Sequence, residues 1–168
     1  MKKIVALFLI LPLFSAAQDT IAMRCKLNKE TDPYTKETRL STGFIYFKGG
    51  SVTIDADSKE IDMFFSIEGT DKCFDNNSNA AIFFEGVKTK MNSRNGGTMN
   101  CEGLFHFVFK NAALTTTLLQ KIMTQKINQI VFTGNNKKES FITINPADQE
   151  KLMVLATCLA NEAKLLIK

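Results

Sequence analysis

The chain contains one histidine, His106, and this limits the chemistry open to it. Acid–base catalysis recruits histidine more than any other side chain. His106 stands between Phe105 and Phe107, with neither a nucleophile nor an orienting acid beside it in sequence, and reads as a structural residue on a strand face. A Ser–His–Asp or Cys–His relay would have to use this residue. The Gly-x-Ser-x-Gly elbow that presents a nucleophilic serine does not occur. Metal sites built on two or three imidazoles are excluded by count.

Carboxylates are the other candidates. Asp55, Asp57 and Asp62, with Ser58, Lys59 and Glu60 among them, resemble the opening of a calcium loop. Such a loop wants an oxygen ligand at its fifth position and glycine at its sixth. Lys59 and Glu60 occupy those places, so a solvated turn over residues 55–59 is the better reading. Asp62, Glu68, Asp71 and Glu85 could include two carboxylates at glycosidase spacing, although any β protein of this size offers such pairs by chance. Gly96-Gly97 leads into neither a helix nor a Lys-Ser/Thr pair and is no phosphate cradle. Asn76-Asn77-Ser78 is a formal glycosylation acceptor. The sequence thus nominates no catalytic residue, no cofactor-binding residue and no metal ligand.

Four cysteines remain: Cys25, Cys73, Cys101 and Cys158. No two form a CxxC, which removes the redox-motif and zinc-ribbon readings together. Their even number favours two disulfides if the chain is exported, and three pairings are open. The preferred pairing is Cys73 with Cys101, closing a local hairpin region, and Cys25 with Cys158, tying the first strand to the last helix. Export is expected from the N-terminus. Lys2 and Lys3 lead into an apolar run over residues 4–14, then Ser15-Ala16-Ala17. That charged head, short apolar middle and small-residue end form the secretory pattern. The run falls short of the roughly 20 residues that span a bilayer. Residues 1–17 therefore read as a cleaved signal peptide, and residues 18–168 as one domain placed in the periplasm or outside the cell.

The chain carries 21 basic and 17 acidic residues, and two of the lysines belong to the leader. What remains is close to neutral, and its densest basic stretch is Lys137-Lys138. Phosphate-driven nucleic-acid binding needs a basic stripe, which is missing. No later segment is apolar enough to span a membrane. Fourteen phenylalanines against two tyrosines and no tryptophan suggest core filling, because carbohydrate platforms favour rings with a polar handle.

The elements that must position these residues read as mostly β. Strands are predicted over residues 21–27, 43–47, 52–54, 61–67, 81–84 continuing through 87–91, 104–109, 127–133 and 140–144. Asp32-Pro33-Tyr34, Gly49-Gly50 and residues 134–136 are turns, Gly86 a bulge, and Asn95-Gly96-Gly97 a hairpin turn. Along 104–109 the rings of Phe105, Phe107 and Phe109 share one face, and Leu104, His106 and Val108 the other. Thr115 is expected to cap a short helix running to Thr124, with Leu114 and Leu119 as its staple. Asn145-Pro146 opens a final helix whose stripe of Leu152, Leu155, Ala156, Leu159 and Ala163 must be buried.

Leu114-Thr115, the run Leu118-Leu119-Gln120-Lys121-Ile122, Lys126-Ile127-Asn128-Gln129-Ile130-Val131-Phe132, Phe141-Ile142-Thr143-Ile144, Lys151-Leu152 and Leu155-Ala156-Thr157-Cys158 follow one another through the C-terminal half. Together they resemble the C-terminal half of small exported proteins of Bacteroidetes. Cys25 followed by Asp32-Pro33-Tyr34-Thr35 is similar to the group's early Cys … Asp-Pro-Phe-Thr stretch, and residues 81–86 to its central hairpin. Where a basic residue often sits in the group's strand, this chain has Val131-Phe132-Thr133. The resemblance implies export and a fold, and names no activity.

The expected fold is α+β: a mostly antiparallel β body, open to a sandwich arrangement, with a short helix and a packed C-terminal helix. The expected function is that of an exported, non-catalytic binding or envelope-associated protein, whose partner would be an envelope protein or a surface glycan. A flat or apolar exposed sheet face would favour it. Two carboxylates converging in a cleft, one with a raised pKa, would favour a small acid-residue hydrolase. An enclosed cavity lined by phenylalanines would favour a carrier of a small apolar ligand.

Overall fold

A computed structural model describes residues 25–70 and 72–167. The leader expected over residues 1–17, and the first part of the strand expected over residues 21–27, lie outside them. The strands are β1 (Asn28–Thr31), β2 (Thr38–Ser41), β3 (Ile45–Phe47), β4 (Gly50–Ala56), β5 (Glu60–Ile67), β6 (Asn79–Phe84), β7 (Met91–Arg94), β8 (Leu104–Lys110), β9 (Ile127–Thr133) and β10 (Glu139–Thr143). The helices are α1 (Thr117–Thr124), between β8 and β9, and α2 (Pro146–Lys164) at the end.

Period-two patterning decides how these strands assemble, since alternate side chains point to opposite faces. Ile61, Met63, Phe65 and Ile67 of β5 are buried, as are Phe105, Phe107 and Phe109 of β8. Both strands belong to a sheet ordered β1-β2-β4-β5-β8, with β3 joining the same edge of β4 as β2. A second sheet is ordered β10-β9-β6-β7, and every pairing is antiparallel. The sheets meet through aromatic rings. Phe132 of β9 lies 5.3 Å from Phe65, 5.1 Å from Phe105 and 6.4 Å from Phe107, centroid to centroid. Phe74, from the crossover between β5 and β6, closes this end at 5.2 Å from Phe105 and 6.3 Å from Phe132. Offset and edge-on contacts of this kind add to the burial of the rings themselves.

α2 covers the remaining open side, packing on β4, β9 and α1. Its buried stripe is Leu152, Leu155, Ala156, Leu159, Ala160 and Ala163, and its small members let the helix approach closely. Asn145 caps it by accepting the Asp148 N–H at 3.0 Å, with Pro146 in the first turn. The Thr157 hydroxyl donates to Met123 O at 2.7 Å, joining the two helices, and Asn111 Nδ2 donates to Ala163 O at 2.7 Å. Cys25 is bonded to Cys158, and Cys73 to Cys101. The first bridge spans 133 residues and the second 28. Longer closures remove more conformations from the unfolded chain. Among the described residues, no helix is long and apolar enough to cross a membrane.

The architecture is the α+β arrangement read from the sequence; several local expectations are corrected. Residues 25–27 are not strand. The first strand is Asn28–Thr31, fully exposed and polar, paired to Thr38–Ser41. No apolar alternation marks it, because the turn creates the pairing: Asp32 Oδ1 accepts the N–H groups of Tyr34 and Thr35 at 2.7 and 2.8 Å. Gly86 is not a bulge within one strand. At φ +70° it reverses the chain, so β6 and β7 form a hairpin. Asn95-Gly96-Gly97 is not a hairpin turn, because β7 and β8 belong to different sheets. The N-cap position of α1 is Thr116 instead of Thr115, and its side chain makes no capping hydrogen bond. Leu114 is 88% exposed and forms no staple with the buried Leu119.

Phe132→Ala removes the ring that touches four others, and should cost about 3–5 kcal/mol of stability. Leu114→Ala should be close to neutral. Urea unfolding of the two variants beside the parent checks both.

Candidate functional site

The alternation that sends phenylalanines inward on β5 and β8 sends Asp62, Phe64, His106 and Val108 to the outer face of the six-stranded sheet. Register sets Asp62 opposite Val108 and Phe64 opposite His106. The imidazole reaches diagonally, and Nδ1 lies 2.8 Å from Asp62 Oδ2. Its ring packs on Phe64 at 4.9 Å. A diagonal cross-strand pair of this kind is within reach of long side chains. The row through Asp62 continues across the sheet as Asp55, Ser41 and Asn28. The Thr53 hydroxyl, buried in this face, donates to Asp55 at 3.4 Å, and the Ser41 hydroxyl lies 3.4 Å from it.

Asp62 is three-quarters buried. Loss of water pushes its carboxyl above the usual carboxylate range; the hydrogen bond and charge of His106 pull the other way, and the neighbouring Asp55 adds to the rise. Oδ2 faces His106, and Oδ1 is buried without a partner. Two other aspartates, the exposed Asp32 and the half-buried Asp75, behave in the opposite sense. Asp32 lies below the usual range because Thr35 and Tyr34 N–H groups bond it, and Asp75 does so chiefly through the Ser78 hydroxyl.

Residues 95–103 form a strap from β7 across to β8. Asn95 is buried and works as a joint. Its N–H bonds Ser78 O at 2.9 Å, its Nδ2 bonds Asp75 O at 3.1 Å, and its Oδ1 accepts the His106 N–H at 2.9 Å. Gly96 N–H donates to His106 O at 2.9 Å, so the strap occupies the free edge of β8. Glycine is required here by contact: a Cβ on Gly97 would stand 2.5 Å from His106 Cδ2, and one on Gly96 2.6 Å from Val108 Cγ2.

Beside the Asp62–His106 pair runs a groove of about 640 Å³, lined by Asp55, Asp57, Glu60, Asp62 and Glu30 together with Arg39, Lys29, Ser41 and Asn28. A second groove of about 530 Å³ lies between Lys26, Thr42 and the first turns of α2, at Ala147, Glu150, Lys151, Val154 and Leu155. Neither is lined by a phenylalanine. Among the described residues, no group of three His, Cys, Asp or Glu side chains could hold a metal ion.

Of the four acids picked as a possible glycosidase pair, Asp62, Glu68, Asp71 and Glu85, only Asp62 lies in this face. Glu68 follows the end of β5, Glu85 sits in the β6–β7 turn of the other sheet, and Asp71 lies outside the described residues. Asp55, expected in the turn over residues 55–59, belongs to β4, directly opposite Asp62. The calcium-like stretch closes as a β4–β5 turn, with Asp57 Oδ1 accepting the N–H groups of Lys59 and Glu60 at 2.7 and 3.0 Å. Ser78 of the formal glycosylation acceptor is buried and bonded to Asp75. His106 does have an orienting acid, Asp62, 44 residues away in sequence. Alternation within β5 and β8 was a signal for it; the register between those strands was not legible. Comparison with protein-family models, curated proteins and solved structures found no match.

Because the folded chain holds the Asp62 proton more tightly than the unfolded chain does, the folded state binds more protons than the unfolded one between the ordinary value of 3.8 and the raised pKa. Stability therefore falls through that interval and levels off above the raised pKa. Asp62→Asn removes this loss. The urea midpoint of the parent, taken relative to Asp62→Asn, should drop as pH rises through the carboxylate range; Asp32 and Asp75 cancel in the comparison.

Proposed function

We propose that the chain is an exported, non-catalytic binding protein of the bacterial envelope, and that the groove on the outer face of its six-stranded sheet takes the ligand. The observation that carries this reading is a wall of polar groups in which one Asp62 oxygen is tied to His106 and the other is buried. Asp62 spends Oδ2 on His106 and keeps Oδ1 buried, which suits a group that shapes a surface and not one that exchanges protons with a substrate. Asp55, Glu60 and Arg39 remain at the groove, presenting charges of both signs. A surface glycan or the polar rim of an envelope protein has the hydrogen-bonding groups to meet them. Two disulfides, a leader-like N-terminus and the resemblance to exported Bacteroidetes proteins support the location.

A second reading, an acid-residue hydrolase, has one observation in its favour: Asp55 and Asp62 are cross-strand neighbours at the groove, and Asp62 is the one with the raised pKa. One experiment separates the two. The mature chain is immobilised and exposed to the envelope fraction of the cells that make it, and what it retains is analysed by mass spectrometry. Binding predicts a ligand recovered intact, with retention falling about tenfold or more in Asp55→Lys, equivalent to about 1.4 kcal/mol. Recovery of a shortened ligand, with shortening abolished in Asp55→Asn, would establish the hydrolase instead. Equal retention by the parent and Asp55→Lys would remove the groove from either role.

A further inference from the structure

The strap that covers His106 is pinned at its far end by the Cys73–Cys101 bridge. Phe74 and Asn100 exchange two backbone hydrogen bonds, Phe74 N–H to Asn100 O at 2.8 Å and Asn100 N–H to Phe74 O at 2.9 Å. This places Cys73 and Cys101, one residue outward on each chain, side by side across the pair of crossovers that link the two sheets. Cys101 is exposed and Glu102 beside it is exposed, whereas neither cysteine of the other bridge is. An attacking thiolate therefore has open access to one bridge and restricted access to the other, and access is a main determinant of exchange rate.

We propose that Cys73–Cys101 is a redox latch, opened by a dithiol reductant, that sets how firmly residues 95–103 cover the Asp62–His106 face. A thiolate of the dithiol attacks Sγ of Cys101. The Cys73–Cys101 bond breaks, Cys73 leaves as a thiolate and takes a proton, and a mixed disulfide joins Cys101 to the reductant. The second thiol of the reductant then attacks its own sulfur in that mixed disulfide and releases Cys101. The latch gains two electrons and two protons, and the dithiol leaves as its disulfide.

The surroundings explain why opening stays local. Phe74 remains clamped between Phe105 and Phe132, and Gly103 N–H still bonds Lys72 O at 3.1 Å, so the crossovers keep their course. Freed at Cys101, the strap between Gly97 and Asn100 is held by the Asn95 joint at one end and by the Phe74–Asn100 pair at the other. The Asn95 end rests on backbone and amide hydrogen bonds, each worth only about 1 kcal/mol net, and the other end adds to such bonds the packing of Phe74. Loss of the covalent tie raises the population in which Gly96 and Gly97 lift from β8. His106 loses its cover there, and the face proposed to bind a ligand changes shape. The latch rests on that binding reading, but the measurement below follows the strap alone, so either can fail without the other.

The oxidised mature chain is treated under native conditions with limiting dithiothreitol, the released thiols are alkylated, and the sites are mapped by mass spectrometry. Amide hydrogen exchange is followed in parallel. Cys73–Cys101 should open about tenfold or more faster than Cys25–Cys158. The amides of Gly96 and His106, which make the strap-to-β8 bonds, should then exchange about tenfold or more faster, while those of the central strand β9 are unchanged. The Cys73→Ser/Cys101→Ser double variant should reproduce the same exchange pattern. Opening of Cys25–Cys158 first, unchanged protection at Gly96 and His106 after reduction, or equal loss of protection in β9 would each overturn the latch. Failure of the double variant to fold would do so too, since a staple and not a switch would then be the bridge's role.

Discussion

The interlock of phenylalanines between the two sheets is the constraint on which the rest of the molecule depends. Phe65, Phe105 and Phe107 can meet Phe132 only if β5 and β8 present one parity of residues inward. Their opposite parity is then committed to the outer face, which carries Asp62, Phe64, His106 and Val108. A slip of one residue in either strand would bring a carboxylate or imidazole into the aromatic interior, at a cost no hydrogen bond in that interior could offset. Core and candidate site are thus two sides of one register.

The outer face shows what that commitment costs. Asp62 is drawn partly out of water, where one oxygen meets His106 and the other has no protein partner. A buried acceptor left without a partner destabilises by about 1–3 kcal/mol. The fold tolerates it because other features compensate: a closed aromatic interior, a capped and well-packed α2, and covalent ties that join the start of the described chain to α2 and one inter-sheet crossover to the other. Groups kept at such a cost are concentrated at functional surfaces, and the groove beside Asp62 has one whereas the somewhat smaller groove along α2 does not.

Much of the fold was legible because it rests on periodicity. β5, β8, β9 and the stripe of α2 have strong apolar patterns, and the structure places them within a residue of where the pattern does. Other elements have no such pattern. β1 is a polar edge strand and β2, between it and β4, buries only Leu40; both rest on the Asp32 turn. The strand expected over 87–91 begins only at Met91, because a glycine with positive φ reads alike as a bulge or as a reversal. The site was legible only in part, for the same reason. Alternation tells which residues share a face; it does not tell which strands are neighbours, and Asp55, Asp62 and His106 meet only through the order β4-β5-β8. The role of Asn95 and its two glycines, as a joint over His106 in place of a hairpin turn, depends on the same long-range order.

Since His106 is the only histidine, its ring signals in a nitrogen-edited NMR spectrum can be assigned without ambiguity. The parent should show a protected, downfield Nδ1 proton that disappears in Asp62→Ala, while the backbone spectrum of β9 is retained. A ring whose protons exchange freely, and whose spectrum is the same with and without the Asp62 carboxylate, would show that the two side chains do not meet and would contradict the β5–β8 register.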